Sequence, residues 1–147
     1  MKIVIGSDHA GYELKEHLKK AVKELGYDIE DKGTDNPDVS VDYPKFAESV
    51  AKEVANGKGK LGVLVCGTGM GVSIAANKVK GARAAVVYNE ATAKLAREHN
   101  NANIICLGGR ELSKEQGKKF VKLFIETPFS EDERHKRRIK EISDLEK

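Results

Sequence analysis

The sequence predicts an α/β/α fold, a five-stranded parallel sheet covered by helices on both faces, and three observations carry that expectation. Short apolar runs such as Ile3-Val4-Ile5 and Leu61-Gly62-Val63-Leu64-Val65 recur along the chain and read as buried strands. Between them lie stretches with apolar residues at helical spacing, long enough to return the chain to the start of a parallel neighbour. No linker, repeat or low-complexity segment interrupts the alternation, so the 147 residues read as one domain, 1–147. A chain of that size buries about two-thirds of its unfolded surface.

Each element has its own signal. Lys2 to Gly6 reads as the first strand, followed by a helix with Leu14, Leu18, Val22 and Leu25 on one face and Gly26 as its stop. Tyr27 to Asp31 is a weaker second strand. Pro44 opens a helix through Phe46, Val50 and Val54 that closes near Gly57. Leu61 to Cys66 is the third strand, Val72 to Val79 a short helix, and Ala82 to Tyr88 the fourth strand. A helix from Glu90 to His99 leads into the fifth, Asn103 to Leu107. Ser113 and Gln116 form a capping box for a helix through Phe120 and Phe124, and Ser130 with Glu133 is spaced to begin a last helix reaching Leu145. Ile139, Ile142 and Leu145 trail along that helix beyond the core and need a cover, which points to an oligomer.

Composition narrows the function classes. Net charge is only +3, and Lys and Glu alternate along helical faces, with Glu16 and Lys20 spaced to pair, so the body of the chain does not read as a nucleic-acid binder. The exception is the basic run Arg134-His135-Lys136-Arg137-Arg138, by default a solvated helix face. The two cysteines, Cys66 and Cys106, follow apolar runs without metal-ligand spacing; a reduced cytoplasmic protein with no metal site is expected, and Cys106 reads as core. Met1 to Ile5 is too short for the apolar region of a signal peptide, and no run approaches membrane-spanning length.

Chemistry concentrates at Cys66-Gly67-Thr68-Gly69-Met70-Gly71. A strand followed by a glycine-rich turn into a helix leaves backbone N–H groups free to surround a small anion, and Cys66 at its mouth suits a base or nucleophile. The spacing G-x-G-x-G is neither the dinucleotide fingerprint nor the nucleoside triphosphate loop. Taken alone, Cys66 is as readily a buried small hydrophobe. In a parallel sheet, however, working residues gather beyond the carboxyl ends of the strands. Strand one ends in Ser7-Asp8-His9, strand three in the Cys66 loop, and strand five in Gly108-Gly109-Arg110. Each of these has a plainer reading: Asp8 as a helix cap, His9 as a solvated loop residue, Arg110 as a partner of Glu111. Their shared position is what favours a site. His99 and Asn100 end a helix that precedes a strand, which puts them at the opposite, amino edge; if His99 acts on the same substrate as Cys66, it comes from a second subunit.

Six segments together resemble the type B ribose-5-phosphate isomerases: Gly6-Ser7-Asp8-His9-Ala10-Gly11, Asp42-Tyr43-Pro44, Cys66 to Gly71, His99-Asn100-Asn101-Ala102-Asn103, Gly108-Gly109-Arg110 and Arg134 to Arg138. The resemblance spans nearly the whole chain, and the wider group includes isomerases of galactose 6-phosphate and allose 6-phosphate. It implies a Rossmann-like fold and interconversion of D-ribose 5-phosphate and D-ribulose 5-phosphate through an enediolate, without metal or cofactor, in the non-oxidative pentose phosphate pathway. It further implies a homodimer with shared active sites, a tetramer being the alternative, and a C-terminal helix that reaches the partner. Carried over residue by residue, Cys66 resembles the base, and Gly67, Gly69, Met70 and Gly71 the anion hole, assisted by Thr68. His99 resembles the ring-opening group with Asn100 beside it, Asp8 and Tyr43 the sugar-hydroxyl contacts, and His9, Arg110, Arg134 and Arg138 the phosphate ligands. Some relatives place a Glu base at the position of Val72, so this chain resembles the cysteine type. Two competing classes are a thiol phosphatase, whose loop Arg is missing between Cys66 and Lys78, and a non-catalytic phosphosugar or nucleic-acid binding module.

Overall fold

In the computed structural model, which describes residues 1–146, eleven elements alternate along the chain. They are β1 (Lys2–Ser7), α1 (Tyr12–Glu24), β2 (Asp28–Asp31), α2 (Tyr43–Asn56), β3 (Lys60–Cys66), α3 (Met70–Ala76), β4 (Ala84–Val86), α4 (Glu90–Glu98), β5 (Ile104–Gly108), α5 (Lys114–Glu126) and α6 (Glu133–Ser143). The strands form one sheet in the order β2-β1-β3-β5-β4, every pairing parallel. The order reverses between β1 and β3, the position where folds of this kind carry a crevice beyond the strand ends.

Side chains on the three central strands alternate between two apolar layers, as the period of a strand requires. Ile3, Ile5, Val63, Val65, Ile105 and Leu107 pack with Leu14 and Leu18 of α1, Ala93 of α4 and Phe120 and Phe124 of α5. Val4, Leu64, Cys66, Ile104 and Cys106 pack on the other face with Val50 and Val54 of α2 and Val72 and Ala76 of α3. Both faces being covered explains why β1, β3 and β5 are apolar without alternation in the sequence.

The helix boundaries follow local chemistry. Gly26 takes a left-handed φ of 93° after α1, Pro44 lies in the first turn of α2, and Ser113 and Gln116 exchange the expected capping-box bonds at α5. The last helix differs from expectation. Ser130 does not cap it: its hydroxyl accepts instead from the Asp132 amide at 3.3 Å, and Asp132 caps the helix by accepting from the Arg134 amide at 3.0 Å. The chain turns through a left-handed Glu131 (φ 64°), which moves the helix start past the Ser130 box. The third helix also begins earlier than its apolar pattern, at Met70, and the fourth strand is shorter, Ala84–Val86. Among the described residues no helix is long and apolar enough to cross a membrane.

One charge network sits inside the packing. Lys15 is 1% exposed, and its ammonium donates to both oxygens of Asp31 at 2.9 and 2.8 Å. Lys19 joins Asp31 at 2.8 Å. Glu16 pairs with Lys15 and Lys19, not with Lys20, because Asp31 at the end of β2 draws those two lysines together. Partial burial pushes the Asp31 carboxyl upward, but the Lys15 and Lys19 hydrogen bonds and the Gly33 amide outweigh it and hold the carboxyl below its ordinary value of 3.8.

A depressed carboxyl stabilises the fold fully above its unfolded pKa and loses that contribution as pH falls through its folded value. Asp31→Asn leaves Lys15 buried with only Glu16, and denaturant unfolding at neutral pH is expected to show a loss of about 3 kcal/mol. The gap between wild type and variant should close progressively as the pH is lowered below 3.8.

Candidate active site

Three loops meet beyond the carboxyl ends of β1, β3 and β5, held together by backbone. The Asp8 amide donates to the Val65 carbonyl at 3.3 Å, the Gly109 amide to the Cys66 carbonyl at 2.7 Å, and the Arg110 amide to the Gly67 carbonyl at 3.1 Å. The approach is so close that a side-chain carbon on Gly11 would lie 2.5 Å from the Val65 carbonyl oxygen. Only glycine allows it.

Within this junction the Cys66 side chain is 5% exposed, and its sulfur accepts from the Gly69 amide at 3.2 Å. Gly69 takes φ 83° to aim that amide back at the sulfur. The Thr68 hydroxyl accepts from the Met70 amide at 3.2 Å and helps to shape the turn, while Met70 itself is exposed. Arg110 folds over the loop: its guanidinium lies 3.5 Å from where a side-chain carbon on Gly67 would sit. Tyr43, the first residue of α2, covers the other flank, its ring 2.5 Å from the corresponding position on Gly71.

Asp8 and His9 complete this edge. Asp8 is buried and accepts from the Gly11 amide at 3.0 Å, a bond that shapes the turn before α1; it is not the helix cap, which is Gly11 without a side-chain cap bond. His9 accepts through Nδ1 from the Val41 amide at 3.2 Å, which ties the loop before Tyr43 to the crevice and puts the ring proton on Nε2, free to donate. Of the residues singled out in the sequence, Asp8, His9, Tyr43, Cys66, Gly67, Thr68, Gly69, Met70, Gly71 and Arg110 therefore gather at one edge.

His99, Asn100, Arg134 and Arg138 do not join them. His99 caps α4, and the sheet direction places it at the amino edge, a full β5 length from Cys66, about 16 Å at roughly 3.3 Å per residue. There its ring stacks on His135 of α6, centroids 4.2 Å apart and planes 19° from parallel. The Ser130 amide donates to the Glu98 carbonyl at 3.2 Å and fixes α6 against the end of α4. Burial first, then His99 and the Arg134 and Arg138 charges, hold His135 below the ordinary imidazole value. His135 stood within the basic run, but the sequence held no signal for its stack, since α4 and α6 are brought together only by the fold. The last helix ends at Ser143, short of the expected Leu145; Ile142 on α6 and Leu145 in the turn after it are exposed, and Glu146 accepts from the Gly81 amide through both carboxylate oxygens at 3.1 Å.

The two cysteines are sharply different. Cys106 is 0% exposed in the same apolar layer, and burial, with a smaller contribution from Cys66, drives its thiol far above the ordinary range.

The chain resembles known proteins along nearly its whole length. The family model for ribose/galactose isomerases matches residues 3–142. Ribose-5-phosphate isomerase B of Mycobacterium leprae is 42% identical over 147 residues, which is 100% of this chain and 91% of that one. The structure of type B ribose 5-phosphate isomerase from Trypanosoma brucei superposes with a TM-score of 0.95 at 41% identity, covering 99% of this chain and 98% of the other. The Mycoplasma genitalium ribose-5-phosphate isomerase B with bound ribulose-5-phosphate gives 0.94 at 44% identity over 99% and 95% of the two chains.

Alkylation should separate the two thiols. In the native protein iodoacetamide is expected to modify Cys66 alone, with Cys106 reacting only after denaturation; peptide mass spectrometry at rising pH checks it. Equal modification of both in the native state would contradict the burial and hydrogen bonding described for them.

Proposed function

The chain belongs to the ribose/galactose isomerase family, and from that premise we propose that it interconverts D-ribose 5-phosphate and D-ribulose 5-phosphate through an enediolate. The observation that carries the reading is the Cys66 sulfur, 3.2 Å from the Gly69 amide at the mouth of an amide-lined turn with Arg110 alongside. Moving a hydrogen between adjacent carbons of an aldose needs a base that takes the proton from C2 and returns it to C1. A thiol with an unperturbed pKa of about 8.5 needs only modest help for that at neutral pH. The negative charge spreads over the two substrate oxygens and is met by the backbone donors of Gly67 to Gly71, a correctly aimed donor contributing about 3 kcal/mol to the transition state.

Ribose 5-phosphate arrives as a furanose, so the ring must open first. His99 of the partner subunit takes the proton of the C1 hydroxyl as the C1 carbonyl forms and the bond from C1 to the ring oxygen breaks, while that oxygen takes a proton from water and His99 returns its own to solvent, the net change being one proton moved from O1 to the ring oxygen. The role is what the family resemblance implies, and the place of His99 at the edge opposite Cys66 supports its coming from the partner. It requires two copies arranged so that the His99 edge of one faces the Cys66 edge of the other, with α6 of each reaching across. Asp8 and Tyr43 hold sugar hydroxyls; His9, Arg110, Arg134 and Arg138 hold the phosphate, whose binding energy positions the reacting carbons. The domain 1–147 works as one unit, in the cytoplasm, without metal or cofactor.

Ribulose 5-phosphate formation from ribose 5-phosphate in the presence of EDTA tests the reading directly. Wild type is expected to turn over, and Cys66→Ala, at matched folding, to lose at least about 1,000-fold in kcat. Turnover confined to allose 6-phosphate or galactose 6-phosphate would keep the isomerase and change its substrate. No turnover on any of them would favour a binding module. Arg134→Ala is expected to raise KM about tenfold with kcat changed less than about threefold, the pattern of a phosphate anchor. An unchanged KM would remove Arg134 from the site.

A further inference from the structure

The geometry points to Arg83 as a positioning residue for His99, an inference that rests on the reaction proposed above. His99 is the C-cap of α4, just before a tight turn, and the carbonyls at a helix C-terminus lack partners within the helix. The turn passes through a left-handed Asn101 (φ 42°), with the Asn101 amide donating to the Arg97 carbonyl at 3.1 Å and the Ala102 amide to the Ala96 carbonyl at 2.9 Å. Nothing in that backbone pattern fixes the carbonyls of Asn100 and Asn101 themselves. Arg83, from the turn between α3 and β4, does so. Its Nε donates to the Asn100 carbonyl at 3.3 Å and the Asn101 carbonyl at 3.1 Å, and its Nη2 donates to the Asn101 carbonyl at 2.9 Å.

The Arg83 backbone, from which the guanidinium reaches, is itself held. The Arg83 amide donates to the Asn103 side chain at 2.7 Å, the Asn103 amide donates to the Arg83 carbonyl at 2.9 Å, and the Asn103 side chain donates to the Gly81 carbonyl at 2.9 Å. Arg97 braces the far side of the same turn by donating to the carbonyls of Ala102 and Thr127, with its guanidinium over the Phe124 ring. His99 is thus gripped from two directions, by the Arg83 fork on the residues that follow it and by the stack on His135. A flat guanidinium that reaches two successive carbonyls sets an angle as well as a distance, which an ammonium does not. Ring opening is the one step that uses His99, so that step depends on Arg83, whereas the Cys66 proton transfer does not.

Ribulose 5-phosphate separates the two steps, because its C5 oxygen is esterified and it enters as an open chain. Exchange of its C1 hydrogen with deuterated water, followed by NMR, reports enediolate formation without ring opening. Arg83→Met is expected to lower turnover of ribose 5-phosphate by about tenfold or more while exchange at C1 of ribulose 5-phosphate stays within about twofold of wild type. Arg83→Lys, which keeps the charge and loses the fork, should fall between; it also serves if the Met variant does not fold. Equal losses in both assays would show that Arg83 only supports the fold, and no loss in either would show that the fork is dispensable; each result overturns the inference. A wild-type chain active in neither assay would overturn the isomerase reading first.

Discussion

The contact on which the crevice depends is made entirely of backbone: the Gly109 amide on the Cys66 carbonyl, at 2.7 Å. It joins the loop after β5 to the last residue of β3, one strand over from the β1/β3 position where the sheet order reverses. With the neighbouring bond from Arg110 to Gly67, it sets the distance between the thiol loop and the guanidinium that folds over it. Because the loops approach so closely, no side chain intervenes at Gly11, and the loop that carries Asp8 and His9 comes to rest on β3. Asp8, His9, Cys66 and Arg110 are then positioned by loops anchored to the ladder of β1, β3 and β5.

The same sheet separates what it organises. Parallel strands all point one way, so residues that follow strands collect at one edge and residues that precede them at the other. Cys66 and Arg110 follow strands; His99 precedes one. No rearrangement of loops within one chain closes a gap of a whole strand length. A reaction that needs both a thiol base and an imidazole therefore calls for a second copy, and the uncovered Ile142 of α6 and Leu145 just after it suit that need. At the amino edge the His99 imidazole meets a stacked His135, basic residues on the same helix, and a turn clamped by two arginines.

Burial and hydrogen bonding, not residue type, distinguish the two cysteines. They lie on adjacent strands and in one apolar layer. Cys106 sits mid-strand with both faces covered, where the cost of burying a charge keeps it protonated. Cys66 ends its strand, where the chain turns and an amide can point back at the sulfur. The Lys15 and Asp31 pair shows the same balance in reverse: a buried charge is kept because its partner is within 3 Å on two oxygens.

Much of this was legible in the sequence because periodicity and strand direction are local properties. The apolar runs and helical spacings identified every strand and helix, and the rule that sites lie at strand carboxyl ends grouped Asp8, Cys66 and Arg110 before any coordinates. The same rule placed His99 at the opposite edge. Where local signals competed, the sequence could not arbitrate: Ser130 and Asp132 both suit an N-cap, and the left-handed Glu131 decided between them. Glu16 had lysines at several helical spacings, and a carboxylate from β2 selected two of them. By itself, then, the sequence determined the layers, the chain of elements and the edge to which each reactive group belongs. Only the tertiary structure decided which groups touch, the His99 stack on His135 and the Arg83 clamp on Asn100 and Asn101 among them, because those contacts join segments far apart in the chain whose meeting is set by packing.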